Sequence, residues 1–523
     1  MSKNLYTHYR IPVIAFVVGL VMMTIELVAA RIVAPYVGSS VYTWTAVIGA
    51  VLSGSAAGSY IGGKFVDAYD SALVSFWALC AAAFFAAGIP LCIHPLATGV
   101  VGASTSLLFI NLAVALLLFF PPALFLGAVS PALLKRALVA TDVVGRTAGK
   151  LSALWSAGSI VGTFLTGFVF VEYLGTVTIL FIMALVLVGC AAAILPRWSL
   201  LRGIVVAGIV ASVLVAWMIA TSAARATGIL YSAESGYYSI TLAHDTQFFP
   251  GGARILFLDA DAHSVDADAG RSLGMYTDAY PLFSVFAHPI HSALVIGGGS
   301  YSIAKHIADF YKPSTVDVVE IDPAVTGVAE KFFNIGAYPT IHTIQTDGRL
   351  FLNTASTTYS LIFGDAYNSF VSIPWYLGTR EATERARDLL APGGAYIVNF
   401  ISAREGPESG FFKSMGATFG SVFGNAYVVS FGGDPLQQQN IFLIGVRSDS
   451  SLAVGQQSSV IAAVNQLRDR GVIPASVSIS PLVVDPSAPI LTDEFAPVER
   501  LMAPVIQAYF PSYMRWRAAI LSE

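Results

Sequence analysis

Acidic side chains follow three successive apolar runs in the second half of this sequence. Glu320 ends the first run, Asp347 comes just after the second, and Asp365 comes just after the third. Because the carboxyl ends of parallel strands meet at one edge of a sheet, we expect these carboxylates to lie together there. Such a row of carboxylates can bind the hydroxyl groups of a nucleoside. The alternative interpretation is that each acid only caps the helix that follows its strand.

A glycine triplet, Gly297, Gly298 and Gly299, precedes these acids and follows the buried-strand pattern of 292–296. Glycines at this point let the backbone approach a ligand, and the helix expected over 302–311 directs its N-terminus towards it. Glu320 follows the triplet by about 20 residues, which is the spacing of a ribose-binding acid. The triplet lacks the G-x-G-x-x-G continuation of nicotinamide and flavin sites. An adenosyl-sulfonium ligand therefore fits the pattern better.

Short strands alternate with helices from Ile255 onwards, and this alternation predicts a Rossmann-type α/β domain. The polar run Gln-Gln-Gln-Asn at 437–440 is interpreted as a hairpin and not as part of a site. His291, His306 and His342 are scattered without the spacing of metal ligands, so no metal is expected.

The first half of the chain has a different composition. Of 523 residues, 55% are hydrophobic and 11% are charged, whereas soluble proteins carry roughly 25% charged residues. Few of the charges precede Thr221. A membrane span needs about 20 apolar residues, and seven runs approach that length: 11–33, 43–65, 72–92, 106–125, 151–171, 177–195 and 204–221. Pro121 and Pro122 are expected to kink or end the fourth of these helices.

Two features of the apolar runs concern their packing and their chemistry. Small residues recur at every fourth position, as Gly54, Gly58 and Gly62 in one run and as Gly158 and Gly162 in another. This spacing lets helix backbones approach closely in lipid, so helix packing is favoured over a substrate path. Glu26 is a carboxylate within a span, which is costly. An ion pair or helix contact and a functional role are equally compatible with Glu26.

Charge placement bears on location and partners. Lys and Arg residues mark the cytoplasmic side, and with seven spans nearly all those in the first half fall on the side of the N-terminus. This predicts a multi-pass protein of the plasma (inner) membrane with its soluble part outside. An adenosyl ligand favours the cytoplasm, so the side stays open. The net charge of −4 gives no basic surface for nucleic acid, and Cys80, Cys92 and Cys190 have no disulfide or zinc spacing.

The chain resembles the spermidine synthase family of aminopropyltransferases over 233–400, and its membrane-fused bacterial members along most of its length. The motifs that carry the resemblance are Glu234-Ser-Gly-Tyr-Tyr238, Leu256-Phe-Leu-Asp259 with His263, Tyr276-Thr-Asp278, the glycine triplet, Glu320 with Asp322, Asp347-Gly348, Gly364-Asp365 and the tail motif Leu491-Thr-Asp493-Glu494. The expected architecture is a transmembrane α-helical bundle over 1–222, a small β-domain over 230–284 and a Rossmann-type, methyltransferase-like domain over 285–523.

The resemblance also implies roles for residues in the motifs. The glycine triplet and Gly348 would hold the nucleoside, with Glu320 on the ribose and Asp347 on the adenine amino group. Asp365 would position or deprotonate an attacking amine. The remaining substrate-binding candidates are Tyr238, His263, Asp278, Ser300 and Asn368. Decarboxylated S-adenosylmethionine, or S-adenosylmethionine itself, would be the co-substrate, and the implied partners are a small amine, the lipid bilayer and a second copy of the chain.

Three positions depart from the family pattern. Ser300 stands where the family has an acid that meets the aminopropyl ammonium, Asn368 replaces a second acid, and His263 replaces a glutamine. A charge-assisted hydrogen bond contributes about 1.5–3 kcal/mol, so losing two such carboxylates weakens polycation binding unless Asp278 or Glu234 compensates. The nucleoside part of the site is kept and the polyamine part is eroded.

The sequence supports three hypotheses for the function. The first is a membrane-bound transferase that moves an aminopropyl group to an amine. The second is an S-adenosylmethionine-dependent methyltransferase, which the serine at position 300 favours. The third is a non-catalytic membrane carrier or sensor with a degenerate nucleotide-binding domain, and its main support is Glu26.

Overall fold

The computed structural model of the chain describes residues 2–103, 107–138, 143–194, 200–223, 228–268, 276–367, 374–447 and 454–521. These residues form two compact units. The first comprises Met1–Thr227 together with Ser232–Ser239, and the second comprises Gly228–Tyr231 together with Ile240–Glu523.

The first unit is built from α-helices. They are α1 (Ser2–Val37), α2 (Val41–Ala68), α3 (Ser71–Ala103), α4 (Leu107–Leu138), α5 (Val144–Leu165), α6 (Val171–Leu174), α7 (Thr176–Ile194) and α8 (Leu200–Ala223). A turn of π-helix, Thr166–Phe170, joins α5 to α6. Gly175 has a φ of 72°, a left-handed conformation that glycine adopts easily and that lets the chain turn into α7.

Within the described residues, six helices are long and apolar enough to cross a membrane. They are Tyr9–Val37, Val41–Ala68, Ser71–Val100, Leu108–Leu138, Val144–Leu174 and Thr176–Ile194. Six of the seven predicted runs overlap these helices. The seventh lies in α8, where the apolar part Gly203–Ile219 is shorter than the roughly 20 residues of a span. The described residues thus show six long apolar helices, and a seventh span stays a prediction.

Proline does not end the fourth helix. α4 continues through Pro121, Pro122 and Pro131 to Leu138. Proline removes one backbone hydrogen bond, but its φ fits a helix. α4 packs against α2 and α3, and this packing supports the helix across the lost bonds.

Glycine brings two pairs of helices into direct backbone contact. A Cβ atom at Gly58 of α2 would overlap the carbonyl oxygen of Leu124 in α4. A Cβ atom at Gly158 of α5 would overlap the carbonyl oxygen of Phe16 in α1. Because only glycine leaves room for these approaches, the interpretation of the glycine spacing as helix packing is confirmed.

The segment Ser232–Ser239 of the first unit is held at helix ends. Arg31, near the end of α1, donates to the carbonyl oxygens of Ser235 and Gly236, the latter at 2.9 Å. The carboxylate of Glu234 accepts the backbone N–H of Thr176 at 2.8 Å and its hydroxyl at 2.7 Å. Both oxygens of Glu234 thus cap the start of α7, where a negative charge is favourable. Glu234 therefore caps α7, and it does not replace the carboxylates that the family pattern has at positions 300 and 368.

The second unit contains two sheets, except for the parts of their first two strands that fall within Ser232–Ser239. The strands in chain order are β1 (Ile229–Glu234), β2 (Ser239–Asp245), β3 (Ala253–Leu258), β4 (Asp261–Ala267), β5 (Ser292–Ile296), β6 (Thr315–Glu320), β7 (Ile341–Gln345), β8 (Tyr359–Tyr367), β9 (Leu390–Ser402), β10 (Ala426–Ser430), β11 (Gln439–Val446) and β12 (Ser478–Pro481). Its helices are α9 (Phe283–Phe286), α10 (Ser302–Tyr311), α11 (Pro323–Phe332), α12 (Gly348–Thr354), α13 (Arg380–Asp388), α14 (Gly410–Val422), α15 (Val454–Asp469) and α16 (Val498–Leu521).

The smaller sheet has the strand order β1-β2-β3-β4, and β3 pairs antiparallel with both β2 and β4. The C-terminal helix α16 holds its β3–β4 turn. The Tyr513 hydroxyl donates to the carbonyl oxygen of Ala260 at 3.0 Å and accepts the N–H of Ala262 at 2.6 Å. Arg517 donates to the carbonyl oxygen of Asp259 at 3.1 Å. This turn leads directly into β4, which carries His263.

The larger sheet has the strand order β12-β10-β11-β9-β8-β5-β6-β7. Strands β7, β6, β5, β8 and β9 are parallel neighbours, and β11 and β10 add an antiparallel edge. The parallel part follows the order of a doubly wound fold, so the Rossmann-type prediction is confirmed. The order reverses between β5 and β8, and ligands of such folds bind outside the strand ends at that point.

Candidate active site

Pairing in the parallel sheet brings the predicted residues to one edge. Ile296, the last residue of β5, pairs with Val319 on one side and with Gly364 on the other. The next residue along each of these three strands is Gly297, Glu320 or Asp365. These three positions therefore lie side by side at the point where the strand order reverses.

The glycine triplet forms the turn between β5 and α10. Gly297 and Gly299 have φ angles of 99° and 52°, which favour glycine. A Cβ atom at Gly298 would lie 2.7 Å from the ring of Tyr301. The Tyr301 ring is buried, and its hydroxyl is hydrogen-bonded at 3.0 Å to Thr326 and at 3.0 Å to Thr343. The turn is thus a main-chain surface resting on a fixed ring.

Glu320 is buried beneath this turn. Its carboxylate accepts the N–H of Gly298 at 2.8 Å and the N–H of Asp322 at 2.9 Å. Burial raises the pKa of Glu320 above its usual range, and hydrogen bonds from the backbone of Asp322, Gly298 and Gly299 act in the opposite direction. Glu320 does not cap the following helix, because Asp322 does so by accepting the N–H of Ala324. A carboxylate has about four acceptor positions, so Glu320 retains capacity for a ligand.

Asp347 has two partners. One carboxylate oxygen accepts the N–H of Leu350 at 2.9 Å and caps α12, so the capping interpretation holds for this acid. The other oxygen accepts the hydroxyl of Tyr376 at 3.1 Å. A Cβ atom at Gly348 would lie 2.7 Å from the Ile296 side chain. Glycine at this position lets the start of α12 pack against the end of β5.

Asp365 receives hydrogen bonds from two other elements. The side-chain amide of Asn399 in β9 donates to one carboxylate oxygen at 2.8 Å. The hydroxyl of Tyr276 approaches the other oxygen at 3.5 Å. Asn399 is itself oriented by Asn440 of β11, whose amide donates to the Asn399 side-chain oxygen at 3.0 Å. Asp365 is therefore fixed by side chains from three separate parts of the chain.

Desolvation changes the acidity of this cluster. Burial raises the pKa of Asp365 to about 7, although the hydrogen bonds from Asn399 and Tyr276 lower it. Burial, and then the charges of Asp365 and Asp266, raise the pKa of Tyr276 well above its usual range. At neutral pH Tyr276 is thus a protonated donor. A carboxyl group with a pKa near the working pH is suited to accept a proton.

Ser300 connects the glycine turn to a buried carboxylate. Its N–H donates to the Ser264 hydroxyl at 3.1 Å. Its own hydroxyl is hydrogen-bonded to Ser302, whose hydroxyl bonds with both oxygens of Asp266 at 2.9 and 3.2 Å. Asp266 is only 2% exposed. Position 300, where the family pattern has an acid, is therefore connected to the carboxylate of Asp266 through the hydroxyls of Ser300 and Ser302.

His263 lies on β4, next to Ser264. Burial lowers its pKa to about 4, so the imidazole is neutral at physiological pH and offers one donor and one acceptor. The amide of a glutamine, the family residue at this position, likewise forms hydrogen bonds without carrying a charge.

The other substrate-binding candidates are placed differently. Asp278 lines a cavity of about 470 Å³ together with Tyr280, His306 and the loop that contains Val472. Tyr238 belongs to the first unit, and its carbonyl oxygen accepts the N–H of Ser235. Asn368 lies outside the described residues. Across the part of the chain that the structure describes, no cluster of three or more His, Cys, Asp or Glu side chains could hold a metal ion.

Part of the chain is similar in sequence to known aminopropyltransferases. The probable polyamine aminopropyl transferase of Bifidobacterium longum (strain NCC 2705) is 29% identical over 199 residues, 38% of this chain and 43% of that protein. The polyamine aminopropyltransferase of Vibrio vulnificus (strain CMCP6) is 28% identical over 221 residues, 40% of this chain and 69% of that protein. The chain thus spans less than half the length of the first relative. No family model matches it.

The C-terminal part of this chain is spermidine synthase-like. The resemblance to spermidine synthases is therefore confirmed for part of the chain, and the resemblance to membrane-fused members stays a prediction. Among solved structures, a probable spermidine synthase from Corynebacterium glutamicum ATCC 13032 aligns over 52% of this chain and 99% of its own, with 20% identity and a TM-score of 0.42.

Sequence reasoning missed several residues of this candidate site. Asn440 was assigned to a hairpin, but it orients Asn399 towards Asp365. Asn399 is fully buried in the otherwise apolar end of β9. A lone amide in such a strand was the available signal, because buried polar groups are hydrogen-bonded. Asp266 gave no comparable signal, since it stands among other polar residues.

Proposed function

We propose that this chain is a membrane-anchored aminopropyltransferase that uses decarboxylated S-adenosylmethionine and an amine. The names of its relatives, polyamine aminopropyltransferases, support the reaction class. The observation that carries the proposal is Asp365, a carboxylate with a pKa raised to about 7 and fixed by Asn399 and Tyr276. It lies beside the glycine turn at the strand ends.

The nucleoside half of the site comprises the glycine triplet, Glu320 and Asp347. In the proposal, the free acceptor positions of Glu320 bind the ribose hydroxyls and Asp347 binds the adenine amino group. The main-chain surface of the triplet supports the sugar at close range. The left-handed φ angles of Gly297 and Gly299 favour this arrangement.

The amine half comprises Asp365, Ser300 and the side chains that bond to them. Asp266 supplies negative charge to this half through the Ser302 and Ser300 hydroxyls. We assign the aminopropyl ammonium to this chain of groups, in place of the acid that the family has on the glycine turn. The cavity that Asp278 lines includes none of these groups, so Asp266 is the better candidate for compensation.

The reaction is a displacement at carbon. The lone pair of a neutral amine forms a bond to the aminopropyl carbon, and the bond from that carbon to sulfur breaks. Its electrons neutralise the sulfonium, and methylthioadenosine leaves. The proton lost by the new ammonium goes to Asp365. The positive charge on sulfur activates the leaving group, so the protein has mainly to align the reactants and accept one proton.

Incubation of the purified full-length protein in lipid nanodiscs with decarboxylated S-adenosylmethionine tests the proposal. Diamines, polyamines and monoamines are supplied in parallel, and methylthioadenosine and the alkylated amine are measured by mass spectrometry. We expect both products with at least one amine, and product formation about 10²–10⁴-fold slower with Asp365→Asn. Absence of methylthioadenosine with every amine would contradict the proposal.

Membrane anchoring rests on the six long apolar helices of the first unit. A helix of that length and composition is stable in hydrocarbon because its backbone groups bond within the helix. We expect the full chain to remain in the membrane pellet after alkaline carbonate extraction. Release into the supernatant would contradict anchoring.

Methyl transfer from S-adenosylmethionine is the second candidate, and Ser300 is the observation that favours it. The glycine turn carries a hydroxyl instead of a carboxylate, so it repels the carboxylate of S-adenosylmethionine less. Calorimetric titration with each donor separates the two candidates. Tighter binding of the carboxylated donor would favour methyl transfer over aminopropyl transfer.

A further inference from the structure

The tail motif at 491–494 is far from the strand ends in sequence but reaches the nucleoside half through side chains. Leu491 is fully buried. Its N–H donates to the Thr418 hydroxyl at 2.9 Å, and its carbonyl oxygen accepts the N–H of Arg380 at 2.8 Å. The motif is thus anchored between α13 and α14.

Asp493 pairs with a largely buried cation. Its carboxylate lies 2.6 Å from the guanidinium of Arg349, whose side chain is 15% exposed. The other oxygen of Asp493 accepts the hydroxyl of Thr379, the N-cap of α13, at 2.7 Å. The N–H of Asp493 donates to Glu381 at 3.0 Å. Three side chains therefore contact Asp493, and Arg349 is the cation among them.

Arg349 connects Asp493 to Tyr376 through hydrogen bonds. One guanidinium nitrogen of Arg349 donates to the carbonyl oxygen of Tyr376 at 2.8 Å and to the Thr379 hydroxyl at 2.9 Å. The hydroxyl of Tyr376 in turn donates to Asp347 at 3.1 Å. Arg349 also lies in the first turn of α12, the helix that Asp347 caps. Both partners of the Asp347 carboxylate are thus connected to Asp493.

We infer that Asp493 is a positioning residue for the nucleoside half, acting through Arg349 and Tyr376 on Asp347. The inference rests on the proposed function in one respect, namely that Asp347 contacts the nucleoside. Removing the charge of Asp493 leaves a largely buried guanidinium without its counterion. Arg349 then turns towards solvent and releases the backbone of Tyr376, so the hydroxyl no longer holds Asp347 in place.

Calorimetric titration of the full-length protein with methylthioadenosine tests this relay. Asp493→Asn keeps the shape of the side chain and removes its charge, and we expect about tenfold weaker binding. Tyr376→Phe removes only one hydroxyl and should weaken binding to a similar degree. The double variant should bind no more weakly than the weaker single variant, because both changes interrupt one relay. The matched control is Asp469→Asn, which breaks an exposed pair with Arg468 and should bind as the parent does.

Several outcomes would overturn the inference. Asp493→Asn with parental affinity and only a lower melting temperature would reduce Asp493 to a structural role. Additive losses in the double variant would show that Asp493 and Tyr376 act separately. If Asp493→Asn fails to fold, parental affinity in Tyr376→Phe would still refute the relay. Failure of the parent protein to bind methylthioadenosine would refute the proposed function instead.

Discussion

In the proposed function, the ribose-binding acid Glu320 is held by main-chain groups, whereas the proton acceptor Asp365 is held by side chains of other elements. Glu320 is bound by the N–H groups of Gly298 and Asp322, which are close to it in the sheet. Asp365 depends on Asn399, Asn440 and Tyr276 instead. Main-chain contacts survive most substitutions, while side-chain contacts change with one residue.

The largest effect is expected at Asp365. Asp365→Asn removes the proton acceptor, and we expect kcat to fall about 10²–10⁴-fold. Affinity for methylthioadenosine should not change, because that ligand occupies the nucleoside half. Methylthioadenosine release and calorimetry on the same preparation measure the two quantities. An unchanged kcat would show that Asp365 is not the proton acceptor, and the proposed distinction between the two halves would then be wrong.

Glu320→Gln should have the reverse signature. The neutral amide loses charge-assisted hydrogen bonds to the ribose hydroxyls, so we expect affinity for methylthioadenosine to fall about 10–100-fold. The kcat at saturating donor should change much less. An equal fall of kcat and affinity would show that the two halves are not separable. Glu330→Gln, in α11 and away from the strand ends, is the control.

Ser300→Asp should sharpen the comparison by restoring the family residue. A carboxylate beside the aminopropyl ammonium is expected to tighten binding of decarboxylated S-adenosylmethionine about tenfold. In Asp266→Asn the same ligand should bind more weakly, and the double variant should recover affinity. Lack of recovery would mean that Asp266 does not supply the charge of the amine half. Methylthioadenosine, which lacks the ammonium, is the control ligand.

The smallest effect concerns pH. Asp365 accepts a proton only when ionised, so the rate should rise with pH through the pKa of about 7. The Asn399 hydrogen bond stabilises the carboxylate and lowers this pKa. Asn399→Leu should therefore move the inflection to higher pH. An inflection that stays in place would assign it to the substrate amine or to another group.

The sequence predicted the Glu320 end of the proposed site better than the Asp365 end. The glycine triplet and Glu320 act through contacts at the end of neighbouring strands, and spacing along the chain indicated both. Asp365 was indicated by its place after a strand, but its partners were not. Asn440 contacts Asn399 because β11 inserts antiparallel between β9 and β10, and no local pattern specifies that pairing.

The helical unit shows a similar limit. Composition indicated the apolar runs, and the glycine spacing indicated close packing. Proline pairs ordinarily predict a helix end, yet α4 continues through Pro121 and Pro122. The packing of α4 against α2 and α3 decides this, and those contacts arise only when the chain is folded.

The amide chain from Asn440 through Asn399 affects how the site recovers after each turnover. Carboxamides orient a neighbour but do not ionise, so they offer no exit for a captured proton. Tyr276 holds its own proton firmly. Under the proposed reaction Asp365 therefore stays neutral after product forms, until bulk water or buffer resets it. We therefore expect the release of methylthioadenosine to be linked to the deprotonation of Asp365. The steady-state rate should then depend on the buffer concentration.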